Sequence, residues 1–309
     1  MTGKTARIAV QQLAADQDGV VSRAQARALG VDRGIVRREV EAGHWRTIGK
    51  QSIATHVLPV GGCALWRAAL NEAGEHAALD GVTSLQASGL TGFDGQPHLI
   101  VPWPSEMQSL AGVDVHSSRL WNPDDFIERN GMRLTRPDVA AVRAAMRVRT
   151  DRAAATVMAM TVQQGLTTGE LLLLQAKRLN RHKRRPTILV VAGDIADGAR
   201  ALGELDFTDW CRRRGLPPPN RQVLRRGKHG RVYLDVYWDD FHVVVEIEGA
   251  HHDAPENAIG DSLRQNAITI GKVDSFLRIP VLGLRTCSDP FMDQVEQALR
   301  AAGWFPAAA

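Results

Sequence analysis

The stretch RVYLDVYWDDFHVVVEIEGAHHD, Arg231 to Asp253, decides how the C-terminal part of this chain folds. Two runs of β-branched and aromatic residues flank Asp239 and Asp240, which predicts a hairpin with the two aspartates as its turn. In that register Trp238 faces Phe241, Leu234 faces Val245 and Arg231 faces Glu248. Side chains alternate along a strand, so one face carries Leu234, Val236, Trp238, Phe241, Val243, Val245 and Ile247, all apolar and suited to a core. The other carries Arg231, Tyr233, Asp235, Tyr237, His242, Val244, Glu246 and Glu248. Asp235 and Glu246 become diagonal neighbours about 7–8 Å apart at the backbone, near enough to hold one ion between them. A turn longer by one residue would put Asp235 on the apolar face, so the pattern rejects it.

Two carboxylates at that separation repel unless a cation neutralises them. Arg231 is placed to pair with Glu248, which leaves Asp235 and Glu246 as the couple in need of a metal. Hard oxygen ligands that leave positions to water and phosphate suit Mg²⁺, with Mn²⁺ as its substitute. The chemistry that follows is attack of water on a phosphodiester, the ion polarising the phosphoryl oxygen and stabilising the leaving group. Gly249 lets the strand turn sharply, after which His251 or His252 can hold water, donate a proton or bind phosphate. The same pattern also describes a solvated sheet face whose acids serve solubility.

At the other end of the chain, apolar positions from Ile8 to Ala14 predict a short helix closed by the turn DQDG. Ser22 is placed to cap a second helix that ends at Gly30, and Asp32 a third that ends at Gly43. HWRTIGKQSIAT (44–55) then reads as a small hairpin turning at Gly49 and Lys50. This order is that of a winged helix-turn-helix, whose third helix enters the major groove. Arg33, Arg37 and Arg38 on or beside that helix, with Arg46 in the hairpin, are the predicted DNA contacts.

The 309 residues suffice for two or three domains. The 38 Lys and Arg against 34 Asp and Glu give a net charge of +4, too small to announce a polyanion partner. Its distribution says more: cations cluster at 33–38, 177–185, 211–214 and 225–231, around acids at 235–261. Cys63, Cys211 and Cys287 form no C-x-x-C pair and suit a reducing compartment. No apolar h-region or membrane-length run is present, so a cytoplasmic protein with no membrane partner is expected. Between the ends, GCALWRAALNEAG predicts a helix, PHLIVPW and GVDVHSS strands, and LTRPDVAAVRAAMRV leads into alanine-rich helices. His98, His116, Trp103 and Trp121 fall in this stretch without a matching constellation and are expected to have structural roles.

GLPPPNRQV, YLDVYWDDFHVVVEIEGAHH, DSLRQNAITIG and LRIPVLGLR, spread over 200–309, resemble the DUF559 domain, related to the very-short-patch-repair (Vsr) endonucleases of the PD-(D/E)XK fold. The resemblance implies a central mixed sheet flanked by helices and a metal held by a helix Glu, a strand Asp and a following acid. Glu204, Asp235 and Glu246 take those positions. Glu248 stands where many nucleases of this fold have lysine, so EIEG follows the acidic E-x-D-G of the DUF559 branch instead. GVVSRAQARALGVDRGIVRREVEAGHWRTI (19–48) is similar to the winged helix-turn-helix of AbiEi-type antitoxins, which repress their own promoter and counter a nucleotidyltransferase toxin.

The expected architecture is therefore a multidomain α/β (α+β) protein of bacterial type. It comprises a winged helix-turn-helix over 1–58, a mixed α+β module with a basic linker helix over 59–195, and a restriction-endonuclease-like domain over 196–309. Double-stranded DNA is the expected partner and a cognate toxin the second candidate. A homodimer is compatible with promoter binding, although no heptad run argues for one. The expected activity is Mg²⁺-dependent endonuclease action, with a non-enzymatic autorepressor as the alternative.

Overall fold

The computed structural model describes residues 3–105, 109–119, 121–197, 207–226, 232–248, 255–271 and 275–306. Among these the chain is a mixed α/β protein with thirteen helices and three sheets. It divides into two compact units, Met1–Gly89 with Asp94–Ala140 and Leu90–Phe93 with Ala141–Ala309. That boundary falls within the segment 59–195 that the sequence reads as one module. Among the described residues no helix is long and apolar enough to cross a membrane.

The first unit opens with α1 (Gly3–Ala15), β1 (Val20–Ser22), α2 (Arg23–Ala28), α3 (Arg33–Glu41), β2 (Arg46–Ile48) and β3 (Ser52–Ala54). Local chemistry accounts for the boundaries. Ser22 Oγ accepts from the Gln25 amide at 3.0 Å while the Gln25 side chain accepts from the Ser22 amide at 2.8 Å, satisfying two donors at the start of α2. Asp32 Oδ1 accepts from the Ile35 amide at 2.8 Å and starts α3. Gly43 follows α3 with φ +72°, a conformation costly for residues with a Cβ. The strands form an antiparallel sheet in the order β1-β3-β2 over a core that includes Val10, Ala14, Val36, Trp45 and Ile53.

The unit continues through α4 (Gly62–Ala73), β4 (Ala78–Leu79), α5 (Gly81–Ser88), β5 (His98–Pro102), β6 (Asp114–Ser118), β7 (Phe126–Arg129) and β8 (Met132–Thr135) to the start of α6 (Pro137–Arg147), whose residues from Ala141 on belong to the second unit. These strands make a mixed five-stranded sheet, β6-β5-β4-β8-β7. Two buried charges on α4 tie it to turns of both sheets of this unit. Glu72 accepts the Lys50 amide at 2.9 Å, and Arg67 donates to Asp18 Oδ2 at 3.2 Å and to the Asn130 carbonyl at 3.0 Å.

The second unit contains α7 (Asp151–Gln163), α8 (Gly169–Arg178), α9 (Arg185–Asp197), α10 (Phe207–Arg213), β9 (Arg221–Arg226), β10 (Val232–Trp238), β11 (Val243–Glu248), α11 (Pro255–Thr269), β12 (Ser275–Pro280), α12 (Val281–Thr286) and α13 (Ser288–Ala301). Its mixed sheet runs β12-β11-β10-β9, antiparallel except for β11 with β12. A parallel pair needs a long crossover, here supplied by α11. Leu234, Val236, Trp238, Val243, Val245 and Ile247 are all buried, as their alternation predicts. Each contributes roughly 1.5–3 kcal/mol on burial, so a one-residue slip that exposed them all is prohibitive.

The turn itself differs from the expectation. Trp238 pairs with Val243, so the connection is four residues, a 3-10 turn over Asp239–Phe241 followed by His242 at φ +51°. The Asp239 amide donates to Asn220 Oδ1 at 2.8 Å instead of joining the ladder, and the strand therefore ends at Trp238. Lengthening the turn by two residues takes Phe241 and His242 out of the strand faces predicted for them, keeps the described residues of β10 and β11 on their predicted faces, and shifts the partners. Asp235 stands directly opposite Glu246, and Tyr233, not Arg231, opposite Glu248.

Candidate functional site

In the first unit, Val36 and Glu39 are the buried residues of α3, and Arg33, Arg37 and Arg38 are exposed. Arg37 reaches Glu41 at 3.8 Å one turn on, a loose pair between two exposed side chains. Arg46 is exposed on β2. The helix is clamped from behind: Glu39 accepts from Arg7 of α1 and lies 3.0 Å from His44 Nδ1. The Arg7 hydrogen bond, opposed by burial and aided by His44, holds the Glu39 carboxyl below the usual carboxylate range.

A groove of about 330 Å³ runs between α2, the start of α3 and the β2–β3 turn, lined by Arg23, Arg27, Arg33 and Lys50 beside Val31 and Val36. Arg23 Nε donates to the Lys50 carbonyl at 2.9 Å and joins two of these walls. Arg23, Arg27 and Lys50 are absent from the predicted contacts. The four-residue spacing of the two arginines, which puts them on one face of α2, was the available signal. The arrangement offers exposed guanidinium groups on a capped and anchored helix, suited to phosphate oxygens and guanine edges.

In the second unit, Asp235 (3% exposed) and Glu246 (6%) face one another across β10 and β11. Tyr237 Oη donates to Asp235 Oδ2 at 3.2 Å, and Arg221 stacks over the Tyr237 ring at 4.0 Å. The sequence reading leaves these acids without enough compensation nearby; Arg278 supplies part of it. The parallel register sets it beside Glu246, with Nε 3.6 Å from Glu246 Oε1 and 4.0 Å from Glu248 Oε1. Its signal in the sequence was only one cation at an alternate position of FLRIP; the register that aligns it with Glu246 is tertiary.

Glu204, Arg231, His251 and His252 lie outside the described residues. Among the described residues no group of three or more His, Cys, Asp or Glu is arranged to hold a metal ion. Asp235 and Glu246 supply two opposed, buried oxygen donors, a set that fits Mg²⁺ completed by water and phosphate. Asp261 and Arg264 form an exposed pair along α11. In the first unit, His98 Nε2 lies 3.1 Å from Asp114 and His116 Nε2 3.4 Å from Asp80, while Arg119 lies over Trp103 and Trp121 stacks on Phe126. No family model matches the chain, and no curated protein is significantly similar to it.

Proposed function

We propose that the protein binds double-stranded DNA through a winged helix-turn-helix in its first 58 residues and hydrolyses phosphodiesters with a nuclease-like domain of the PD-(D/E)XK type. The observation that carries the hydrolytic half is the direct opposition of buried Asp235 and Glu246. The DNA-binding half rests on Arg33, Arg37 and Arg38 standing in solvent on a helix whose other side is clamped.

Asp235 and Glu246 would hold Mg²⁺ or Mn²⁺. When bound, that ion supplies a polarised phosphoryl oxygen and a stabilised leaving group. Tyr237 keeps Asp235 oriented, and Glu248 extends the acidic row toward the end of β11. Glu204, by its place in the resemblance, would complete the acidic set or activate water, and His251 or His252 would protonate the leaving group or bind phosphate. The reading places the chain in the cytoplasm with DNA, where its three free cysteines stay reduced.

The test is cleavage of supercoiled, nicked, mismatched and single-stranded DNA with Mg²⁺ or Mn²⁺. An Asp235→Asn, Glu246→Gln variant should lose metal-dependent cutting by at least about a hundredfold, since the ion's several kcal/mol in the transition state go with it. Cutting that persists in the variant sinks this assignment.

One observation favours a second reading, a non-enzymatic autorepressor of the antitoxin kind with a nucleotidyltransferase toxin as partner. Arg278 already offsets part of the acidic charge without a metal. DNA binding with no cleavage under any divalent ion, by a homodimer on its own promoter, is the outcome that this reading requires.

A further inference from the structure

We propose that Arg278 is a resident counter-ion of the acidic sheet face and releases it to a DNA phosphate, so that DNA and a divalent cation bind cooperatively. This inference rests on the reading of Asp235 and Glu246 as a metal-holding pair.

Three features point to exchange. First, the backbone of Arg278 is held on both sides by buried Asn266: its amide donates to Asn266 Oδ1 at 2.8 Å and its carbonyl accepts from Asn266 Nδ2 at 3.0 Å. The residue is therefore anchored where β12 meets α11, and the freedom that remains lies in the side chain. Second, that side chain is 55% exposed and sits 3.6 and 4.0 Å from two different glutamates. Charge-assisted bonds of full strength are about 2.7–2.9 Å long, and half-exposed ion pairs contribute little, so the grip is loose. Third, the guanidinium fork matches a phosphate as well as it does a carboxylate.

A divalent ion and a guanidinium compete for Glu246, and a phosphate competes with Glu246 for the guanidinium. A phosphodiester lying along β12 draws Arg278 away and leaves the carboxylates less compensated, which raises their affinity for the ion. By linkage, the ion raises the affinity for DNA by the same factor.

The experiment is a calorimetric titration of the full chain with Mn²⁺, alone and with a random-sequence duplex, for the wild type, Arg278→Met, Arg278→Lys and Asp235→Asn. Without DNA, Arg278→Met should bind Mn²⁺ about tenfold more tightly than the wild type, within the usual range of coupling between sites. The duplex should tighten Mn²⁺ binding by about tenfold in the wild type and Arg278→Lys, and leave Arg278→Met unchanged. Equal Mn²⁺ affinity in the wild type and Arg278→Met, with binding lost in Asp235→Asn, overturns the inference but keeps the metal pair. No Mn²⁺ binding by the wild type or Arg278→Met overturns both. Melting curves in EDTA verify that the variants are folded, and Arg278→Gln repeats the test if Arg278→Met is not.

Discussion

On α3 of the first unit, Arg33, Arg37 and Arg38 stand in solvent, and Glu41, which pairs loosely with Arg37, is itself exposed. On the β10–β11 face of the second unit, Asp235 and Glu246 are buried and a cation from the next strand reaches toward them. In the first case the scaffold is stabilised elsewhere, by Ser22, Asp32 and Glu39, so the exposed charges are left to a ligand. In the second the charges are part of the packing, and a ligand has to compete with the neighbours that already offset them. A ready-made electrostatic surface and a compensated one therefore call for different experiments.

The largest expected effect falls on the exposed surface. Replacing Arg33, Arg37 and Arg38 together by alanine should weaken duplex binding at least about a hundredfold and flatten its salt dependence by up to about three contacts. Melting should stay within about 0.5 kcal/mol of the wild type, because the replaced groups are exposed. A large loss of stability would erase the contrast drawn above.

A second experiment concerns buried charge in the second unit. Asp194 of α9 is paired with Arg285 of α12, whose Nε lies 2.9 Å away, yet burial pushes the Asp194 carboxyl above its ordinary range against the pull of that arginine. Arg285→Met should destabilise the chain by about 3 kcal/mol, since it leaves a buried carboxylate without its partner. Chemical denaturation reads this directly. An acid whose folded pKa is raised contributes stability that is present below its unfolded value and fades as pH rises through the folded one. Asp194→Asn should remove that slope.

Glu39 gives the opposite sign in the first unit. Its carboxyl is held low by Arg7, so its contribution is present above the ordinary carboxylate value and is lost as pH falls through the folded one. Glu39→Gln should cost roughly 1.5–3 kcal/mol near neutrality, the range for hydrogen bonds to charged groups. The deficit should shrink below about pH 4, where an unperturbed glutamate protonates. A deficit independent of pH would assign the effect to packing.

The smallest expected effect is at Glu41. Because its pair with Arg37 is exposed and loose, Glu41→Ala should change stability by only about 0.3–0.5 kcal/mol, and freeing Arg37 should strengthen duplex binding slightly. Weaker binding would mean that Glu41 positions Arg37.

Much of the first unit's scaffold was legible because its signals are local. Ser22, Asp32, Gly30, Gly43 and Gly49 each mark a boundary through their own hydrogen bonds or φ angles, whatever lies elsewhere in the chain. The groove residues Arg23, Arg27 and Lys50 were harder, since they converge from three elements. The hairpin lies between these cases. Its alternation named six of the seven apolar-face residues, Phe241 falling in the turn instead, but alternation repeats every two residues and is blind to a shift of two. The shift came from Asn220, which takes the Asp239 amide from a position outside the hairpin.

By itself, the sequence determined which residues of β10 and β11 share a face, because burying six apolar side chains on one face and gathering three acids on the other leaves one parity of register. It likewise determined the starts of α2 and α3, because capping is chemistry between near neighbours. Only the tertiary structure decided that Asp235 meets Glu246 head on and that Arg278 stands beside them. Those facts depend on how a turn is bounded by a distant asparagine and how a parallel strand returns after a fifteen-residue helix, and neither leaves a periodic mark in the chain.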